Sequence, residues 1–348
     1  MDVPPIGATV VRVAVDLLGG DSAPDAVVAG VVVALRRDSR LAISLVGPPG
    51  VCRAGLTDAG DVAERVIVVP AGQVVDMGED SVFGVRGKSD ATVRLATDLL
   101  SDGIADAMVS IGSTGATVAS SIFGLGLFPG LTRPALAVTL PAATGRVVLL
   151  DVGANVVPAA PILAQHALVG AAYAQGRSAP AQPRVGLLTI GAEAGKGDGV
   201  RRASSALLRR LPIHFVGNVE GDDVLRGGVA DVVVTDGFTG NVLLKGMEGT
   251  YALLAGLLAE NLHGDSGQLR AAFEQATAHV HPDRVAGAIL LGVEGVVVVG
   301  HGASSPAAVA ACIGQAAAAV RQGVLPALRA TLAGLVSRPA TTLTETTP

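Results

Sequence analysis

The sequence is poor in aromatic and sulfur-containing side chains. Its 348 residues include no tryptophan, two tyrosines and two cysteines. Few surfaces are therefore available on which nucleobases could stack, and a net charge of -5 without a basic block gives little attraction for a phosphate backbone. We expect no nucleic acid partner. Cys52 and Cys312 lie far apart and outside any Cys/His cluster, which predicts buried structural thiols in a reducing compartment.

The sequence also lacks the patterns of metal, nucleotide and covalent catalysis. Its six histidines show no HExxH spacing, so no metal site is expected. The segment 87–89 reads Gly-Lys-Ser but lacks the first glycine of a P-loop, and no GxGxxG follows the first strand. No GxSxG elbow marks a nucleophilic serine. We therefore expect no cofactor and direct attack by a bound substrate, without a covalent enzyme intermediate.

A leader sequence and long apolar runs are absent as well. Residues 1–9 contain no basic segment followed by an apolar one, which predicts a protein without a signal peptide that stays in the cytoplasm. Glycines and charged residues such as Glu294 interrupt the apolar segments before they reach the ~20 residues of a membrane-spanning helix. We predict disordered tails at 1–9 and 337–348 around a single catalytic domain, 10–336, large enough to bury a substantial core.

The chain does contain a repeated alternation of strand-like and helix-like segments. The strand-like runs are apolar throughout, which is typical of parallel strands covered by helices on both faces. We predict an α/β fold with a doubly wound, mainly parallel sheet, and a helix-hairpin arm at about 249–284. The predicted strands are 10–16, 41–46, 65–69, 107–111, 135–140, 147–151, 185–190, 231–235 and 296–299.

Most predicted strands end in glycine followed by a polar residue. Such turns bring backbone N–H groups and polar side chains to the strand ends, where ligands bind in doubly wound sheets. Helix capping can explain any single turn, but the number of them favours a binding site. The turns are 16–21, 110–116, 151–155, 190–197, 235–241 and 301–305.

Lysine is scarce, with three lysines against twenty-two arginines. Lys88, Lys196 and Lys245 each lie close to glycine. A compact ammonium suits a phosphate or a reacting carbonyl group. An arginine-rich composition in which these lysines have no common role remains the alternative.

Several ordered motifs resemble those of the acyl-carrier-protein-dependent phosphate acyltransferases of bacterial phospholipid synthesis, the PlsX family. The resemblance covers about residues 10–320. The motifs are Val15-Asp16 with Gly19-Gly20-Asp21, Ser110 to Ala116, Arg133-Pro134-Ala135, Leu150 to Asn155, Gly186 to Gly197, Phe215 to Glu220, Asp236 to Asn241 and His301-Gly302.

The resemblance implies an enzyme that moves a fatty acyl group from acyl carrier protein to inorganic phosphate, giving an acyl phosphate for phospholipid synthesis. It also implies a fold similar to phosphotransacetylases and isocitrate-type dehydrogenases, a homodimer, and peripheral contact with the inner face of the membrane. No cofactor is implied.

The expected catalytic residues are Lys196, Lys245, His301 and Asp236. Lys196 is preferred because it lies in a glycine loop, whereas Lys245 lies within a helix. For His301, capping of the next helix is an equal alternative. The expected substrate-binding residues are Asp16, Gly19, Gly20, Asp21, Ser110, Gly112, Ser113, Thr114, Gly115, Asp151, Asn155, Glu193, Asn218, Gly237, Thr239, Gly240 and Asn241. Of these, Asp16, Asp21 and Asp151 are expected to orient other groups.

Several segments depart from the family pattern, namely Ser113, 90–92, 285–288 and a shortened helix hairpin before 285. Ser113 stands where the family has asparagine, and Asp90 adds a negative charge near the expected site. Two alternatives therefore stay open, a phosphotransacetylase-like enzyme that uses acyl coenzyme A and a divergent paralogue that binds acyl carrier protein with altered or no activity.

Overall fold

The computed structural model describes residues 10–176, 182–261, 272, 273, 275, 277 and 287–336. Both predicted tails and most of the second half of the predicted arm lie outside these residues. The described strands form one eleven-stranded sheet in the order β3-β2-β1-β4-β11-β10-β5-β6-β9-β7-β8. They are β1 Val11–Asp16, β2 Leu41–Gly47, β3 Val66–Pro70, β4 Ala107–Ser110, β5 Ala135–Ala142, β6 Gly145–Leu150, β7 Arg184–Leu188, β8 His214–Val219, β9 Val232–Val234, β10 Gly287–Leu291 and β11 Val297–Gly300.

The nine predicted strands all exist, and two further strands, β8 and β10, were missed. β8 carries His214, Gly217 and Asn218 and lies at one edge of the sheet, so much of it is only partly buried and its sequence lacks a continuous apolar run. β10 is five residues long and is followed closely by the apolar residues of β11. A short apolar run of this kind cannot be assigned by periodicity alone.

Helices cover both faces of the sheet. They are α1 Asp25–Arg37, α2 Pro49–Gly55, α3 Ser81–Gly87, α4 Thr92–Ser101, α5 Thr114–Gly124, α6 Ala160–Gln175, α7 Gly199–Leu208, α8 Gly221–Arg226, α9 Gly237–Asn261, α10 Pro306–Arg321 and α11 Val324–Val336. One core includes buried residues of α1, α6, α10 and α11, and the other includes residues of α4, α5, α8 and α9. The predicted α/β class with a mainly parallel sheet is confirmed.

The direction of the strands changes at the centre of the sheet. β10 is antiparallel to both β11 and β5, and β5 is antiparallel to β6. The strands β6, β9, β7 and β8 are parallel to one another and therefore run opposite to β1, β4 and β11. The polar turns that follow the strands consequently form two separate groups. The first group follows β1, β4 and β11, and the second follows β6, β7 and β9.

Cys52 and Cys312 are both buried, as predicted. Burial raises the pKa of the Cys312 thiol to about 12. This thiol is therefore protonated at neutral pH and is unsuited to act as a nucleophile.

No single described helix is long and apolar enough to cross a bilayer. The pair 306–321 and 324–334, bent by 56°, passes the same test of length and composition when taken together. Many residues of α10 are buried in the core of the sheet.

Candidate active site

In the first group, the turn 16–21 after β1 lies against the turn 110–116 after β4. The hydroxyl of Ser110 donates a hydrogen bond to the buried carboxylate of Asp16 (2.7 Å) and accepts one from the backbone N–H of Gly112 (3.2 Å). A side chain at Gly19 would place its Cβ 2.7 Å from the nitrogen of Gly112. The predicted turns 16–21 and 110–116 are therefore in direct backbone contact, and glycine is required where they meet.

Asp16 has no described cationic partner, and its second carboxylate oxygen accepts no hydrogen bond from the described residues. Burial raises the pKa of Asp16, and the hydrogen bond from Ser110 acts in the opposite direction. The position of Asp16 suits the orientation of Ser110, because its carboxylate is buried and accepts the hydrogen bond of the Ser110 hydroxyl.

The helix α5 starts in this first group. Ser113 caps it by accepting a hydrogen bond from the backbone N–H of Ala116 (3.3 Å), so serine can fill the capping role at this departure from the family pattern. A Cβ at Gly115 would lie 2.3 Å from the hydroxyl oxygen of Ser81, so the start of α3 lies against the start of α5.

His301 follows β11 and is exposed. Its Nδ1 accepts a hydrogen bond from the backbone N–H of Ala303 (3.1 Å), so the proton of the neutral ring lies on Nε2. The neighbouring carbonyl of Gly302 accepts a hydrogen bond from the backbone N–H of Asp21 (2.8 Å). Gly20, with φ +101°, turns the chain toward this contact. The turns after β1, β4 and β11 are thereby joined, while the Asp21 side chain remains exposed.

Asp151 organises the second group of turns, after β6. Its side chain is fully buried and accepts hydrogen bonds from the backbone N–H groups of Leu136 (3.1 Å), Gly153 (3.0 Å), Ala154 (2.9 Å) and Asn155 (2.7 Å). It also accepts one from the side-chain amide of Asn155 (2.8 Å). The carboxylate of Asp151 therefore stabilises the conformation of the 151–155 turn.

The turn at Asn155 is locked to the start of α9. The side-chain amide of Asn155 also donates a hydrogen bond to the backbone carbonyl of Pro134 (2.7 Å). The backbone carbonyl of Asn155 accepts one from the backbone N–H of Gly237 (2.7 Å). A Cβ at Gly237 would lie 2.8 Å from the carbonyl oxygen of Asn155, and one at Gly240 would lie 1.9 Å from that of Asp151. Two glycines therefore allow α9 to begin against the 151–155 turn.

Asp236 caps α9, because its carboxylate accepts hydrogen bonds from both the backbone N–H and the hydroxyl of Thr239, each 2.8 Å. It also forms an ion pair with Arg201, which donates to the Thr239 hydroxyl (3.0 Å) and to Asp198 (2.8 Å). Arg201 is not among the site residues expected from the sequence. Arg201 lies in the first turn of α7, three residues after the capping residue Asp198, and this spacing could have identified it in the sequence.

The loop with Lys196 lies in the second group. Gly195 and Gly197 on either side of it have positive φ values of +90° and +92°. The carbonyl of Glu193 accepts hydrogen bonds from the backbone N–H of Lys196 (3.2 Å) and from the side-chain amide of Asn218 (2.8 Å). Glu193 and Asn218 therefore support the loop.

The three lysines differ in what their ammonium groups contact. Lys88 contacts Glu79 at 2.6 Å and the carbonyl of Val74 at 2.8 Å, and Lys245 contacts Glu248 at 2.5 Å. The exposed ammonium of Lys196 forms no hydrogen bond or ion pair with any residue in the described ranges. Lys88 has a structural role, whereas Lys196 remains available to an anionic ligand.

A cavity of about 300 Å³ lies between the two groups, over the centre of the sheet. Its floor includes Leu136 and Val138 of β5 and Val299 of β11. Its polar wall combines residues from both groups. These are Thr114, Asn241, Lys245, Glu248, His301, Ser304 and Ser305. The helix α9 thus starts in the second group of turns and places Asn241 and Lys245 beside residues of the first group. Three expected site residues, Lys196, Asp16 and Asp236, do not line this cavity.

The chain is similar to a known family and to named relatives over nearly its whole length. Residues 11–326 match the family described as fatty acid synthesis protein. A protein of Bacillus anthracis named phosphate acyltransferase is 41% identical over 325 residues, which are 91% of this chain and 97% of the relative. A phosphate acyltransferase of Bacillus mycoides shows the same identity and coverage.

Solved structures show the same fold at low sequence identity. A phosphotransacetylase from Streptococcus pyogenes has a TM-score of 0.58 at 18% identity and covers 89% of this chain and 94% of its own. A branched-chain phosphotransacylase from Enterococcus faecalis has a TM-score of 0.57 at 15% identity and covers 90% and 98%. These likenesses confirm the predicted relation to the phosphotransacetylase fold.

Proposed function

Since the chain belongs to the fatty acid synthesis protein family, with phosphate acyltransferases among its relatives, we propose that it transfers a fatty acyl group from acyl carrier protein to inorganic phosphate. A phosphate oxygen attacks the carbonyl carbon of the thioester, the carbon–sulfur bond breaks, and the carrier thiolate takes up a proton. The products are an acyl phosphate, for phospholipid synthesis, and the free carrier thiol.

The cavity that combines Thr114, Asn241, Lys245 and His301 is the observation that carries this proposal. Phosphate needs cations and hydrogen-bond donors, and negative charge develops on the carbonyl oxygen during attack. Lys245 supplies a cation, and the Asn241 amide and Thr114 hydroxyl supply donors. His301 carries its proton on Nε2, from which it can donate a hydrogen bond to the negative charge that develops on the carbonyl oxygen or the departing thiolate.

Lys196 acts in this proposal as a second cation for phosphate, supplied from the glycine loop. Its ammonium has no competing described partner, and the glycines on either side allow the loop to adjust to a ligand. Asp236 is assigned to positioning, because its carboxylate already holds Thr239 and Arg201. The same reasoning assigns Asp16 and Asp151 to positioning.

The function can be tested by following free thiol and acyl phosphate together. The purified chain is given acyl carrier protein or coenzyme A loaded with the same acyl group, with and without phosphate. We expect thiol release only with phosphate, formation of an equal amount of acyl phosphate, and a faster reaction with the carrier protein. Faster turnover of acyl coenzyme A would favour a phosphotransacetylase-like enzyme, and release of no thiol from either donor would indicate a paralogue without this activity.

We also propose a cytoplasmic homodimer in peripheral contact with the inner face of the membrane. The exposed apolar side chains of Phe238, Leu253 and Leu254 on α9 support such contacts. Light scattering should give twice the chain mass of 34.5 kDa, and the protein should float with vesicles that contain anionic lipid. A mass of one chain would exclude the dimer, and failure to float with any vesicle would exclude the membrane contact.

A further inference from the structure

The helices α3 and α5 present arginine and phenylalanine side chains together on the surface. The guanidinium carbon of exposed Arg86 on α3 lies 4.5 Å from the ring centroid of Phe123 on α5. Phe83, one helical turn before Arg86, is exposed, and so is Phe123. The whole sequence has six phenylalanines, and two of them lie here in contact with solvent. Aromatic side chains and arginine are enriched where proteins bind one another, so this surface suits a protein partner.

A cavity of about 320 Å³ lies at this surface, and its charged lining residues are Arg86, Arg94 and Asp98. Arg94 donates a hydrogen bond to the carbonyl of Val85 (3.5 Å). None of the three charged side chains forms an ion pair with a residue in the described part of the chain. The cavity is positively charged overall, and its guanidinium groups can pair with carboxylates of a partner.

We call the surface formed by Phe83, Arg86, Arg94 and Phe123 the Arg-Phe face. It is separate from the exposed apolar residues of α9, because no residue of α9 lines its cavity.

The helix α5 connects the Arg-Phe face to the cavity over the centre of the sheet, which we call the polar cavity. Thr114, the first residue of α5, lines the polar cavity, whereas Phe123 near the end of the helix lines the other. The two residues are nine positions apart, which corresponds to about 14 Å at about 1.5 Å per helical residue. A partner bound at the Arg-Phe face therefore needs an arm of about this length to place a reacting group in the polar cavity.

Acyl carrier protein has the chemistry and the reach that this arrangement requires. It is a small acidic protein that carries its acyl thioester at the end of a phosphopantetheine arm. The arm has about thirteen bonds from its phosphorus to its sulfur, and an extended chain advances about 1.2 Å per bond, so the reach is about 15 Å. This length matches the distance from Phe123 to Thr114. A carrier protein on the Arg-Phe face could therefore present its thioester in the polar cavity.

We propose that the Arg-Phe face is the docking surface for acyl carrier protein. Arg86 and Arg94 pair with acidic side chains of the carrier, and Phe83 and Phe123 contact the apolar residues beside them. This inference rests on the proposed function, because it assigns the place where the protein part of the acyl donor binds. Charge pairs at the edge of such a contact accelerate association and make it sensitive to salt.

Arg86→Glu reverses a charge on the Arg-Phe face, and Arg209→Glu is its matched control. Arg209 is also exposed, and its guanidinium carbon lies 5.7 Å from the ring centroid of Phe215. Both variants therefore change the charge equally and lose the same kind of contact with a ring. The neighbouring Leu208 belongs to the core that contains residues of α1, whereas Val85 beside Arg86 belongs to the core on the other face of the sheet.

The test measures binding of fluorescently labelled holo acyl carrier protein by anisotropy at low ionic strength. We expect Arg86→Glu to raise Kd about tenfold or more, with Arg209→Glu close to the wild-type value. Phe83→Ala is a second variant that removes only an exposed side chain and so should fold, and we expect it to raise Kd about fivefold. In about 1 M salt the difference between Arg86→Glu and the wild type should shrink, because the charges are then screened.

A kinetic measurement separates docking from chemistry. In phosphate-dependent thiol release, Arg86→Glu should raise KM for the acyl carrier protein and leave kcat little changed. This pattern is expected for a contact that is equally strong in the bound substrate and in the transition state.

Three results would overturn the docking surface. They are wild-type Kd values in both Arg86→Glu and Phe83→Ala, an equal rise of Kd in Arg86→Glu and Arg209→Glu, and a fall in kcat of Arg86→Glu at unchanged Kd. Absence of carrier binding by the wild type would overturn it as well. Failure of the proposed function would look different, because the wild type would then bind the carrier protein more tightly than Arg86→Glu does and yet release no thiol with phosphate.

Discussion

Replacing Lys196 with alanine should lower kcat/KM for acyl phosphate formation by about 100-fold and leave the melting temperature unchanged. Removal of one donor that contacts the transition state typically costs this much. Stability should not change, because the ammonium of Lys196 forms no hydrogen bond or ion pair within the described ranges. The measurements are the initial rate of phosphate-dependent thiol release and a thermal melt of the same preparation.

Alanine variants of the other two lysines are compared in the same two measurements. Lys245→Ala should also lower the rate, since Lys245 lines the polar cavity. Lys88→Ala should instead lower stability, because it leaves Glu79 and the carbonyl of Val74 without the ammonium they contact. Normal acyl phosphate formation by Lys196→Ala would eliminate the role we assign to that residue. Loss of activity together with a large fall in melting temperature would make the loop structural.

Gly240→Ala should destabilise the protein by about 3 kcal/mol or more, because a buried overlap with backbone cannot relax through side-chain motion. The added Cβ would lie 1.9 Å from the carbonyl oxygen of Asp151. Either α9 or the 151–155 turn must then move, which would also displace Asn241 and Lys245 from the polar cavity. Urea denaturation, followed by circular dichroism, measures the change in unfolding free energy.

Gly256→Ala is the matched control for that substitution. Gly256 lies on the same helix, and a Cβ there would meet no atom within 4 Å. Alanine should therefore stabilise this position by about 0.5–1 kcal/mol, because glycine has greater conformational freedom in the unfolded chain. If Gly240→Ala proved as stable as Gly256→Ala, the close packing of α9 against the 151–155 turn would be contradicted.

The strands and polar turns were predictable because their signals are local. A run such as 147–151 is apolar at every position, as expected for a strand covered on both faces. Its terminal Asp151 and the glycine that follows mark the turn without any knowledge of the rest of the chain. The edge strand β8 was not predictable in this way, since His214, Gly217 and Asn218 interrupt its apolar pattern.

The partners of the polar residues were not predictable. The carboxylate of Asp236, which was expected to be catalytic, contacts Arg201, thirty-five residues earlier in the chain. The three lysines looked alike as residues next to glycine, but Lys88 and Lys245 face carboxylates and Lys196 does not. Which charge is available to a ligand depends on contacts between segments that are distant in sequence.

The sequence by itself determined that this protein is an α/β acyltransferase of a known family, with polar, glycine-rich turns where its strands end. The tertiary structure decided how those turns are used. Reversal of strand direction at β10, β5 and β6 separates them into two groups, and α9 carries Lys245 from one group toward His301 of the other. The same helix also lines an apolar cavity of about 530 Å³ with residues such as Met247. Periodicity and propensity act over a few residues, whereas strand order and helix placement depend on packing across the whole core.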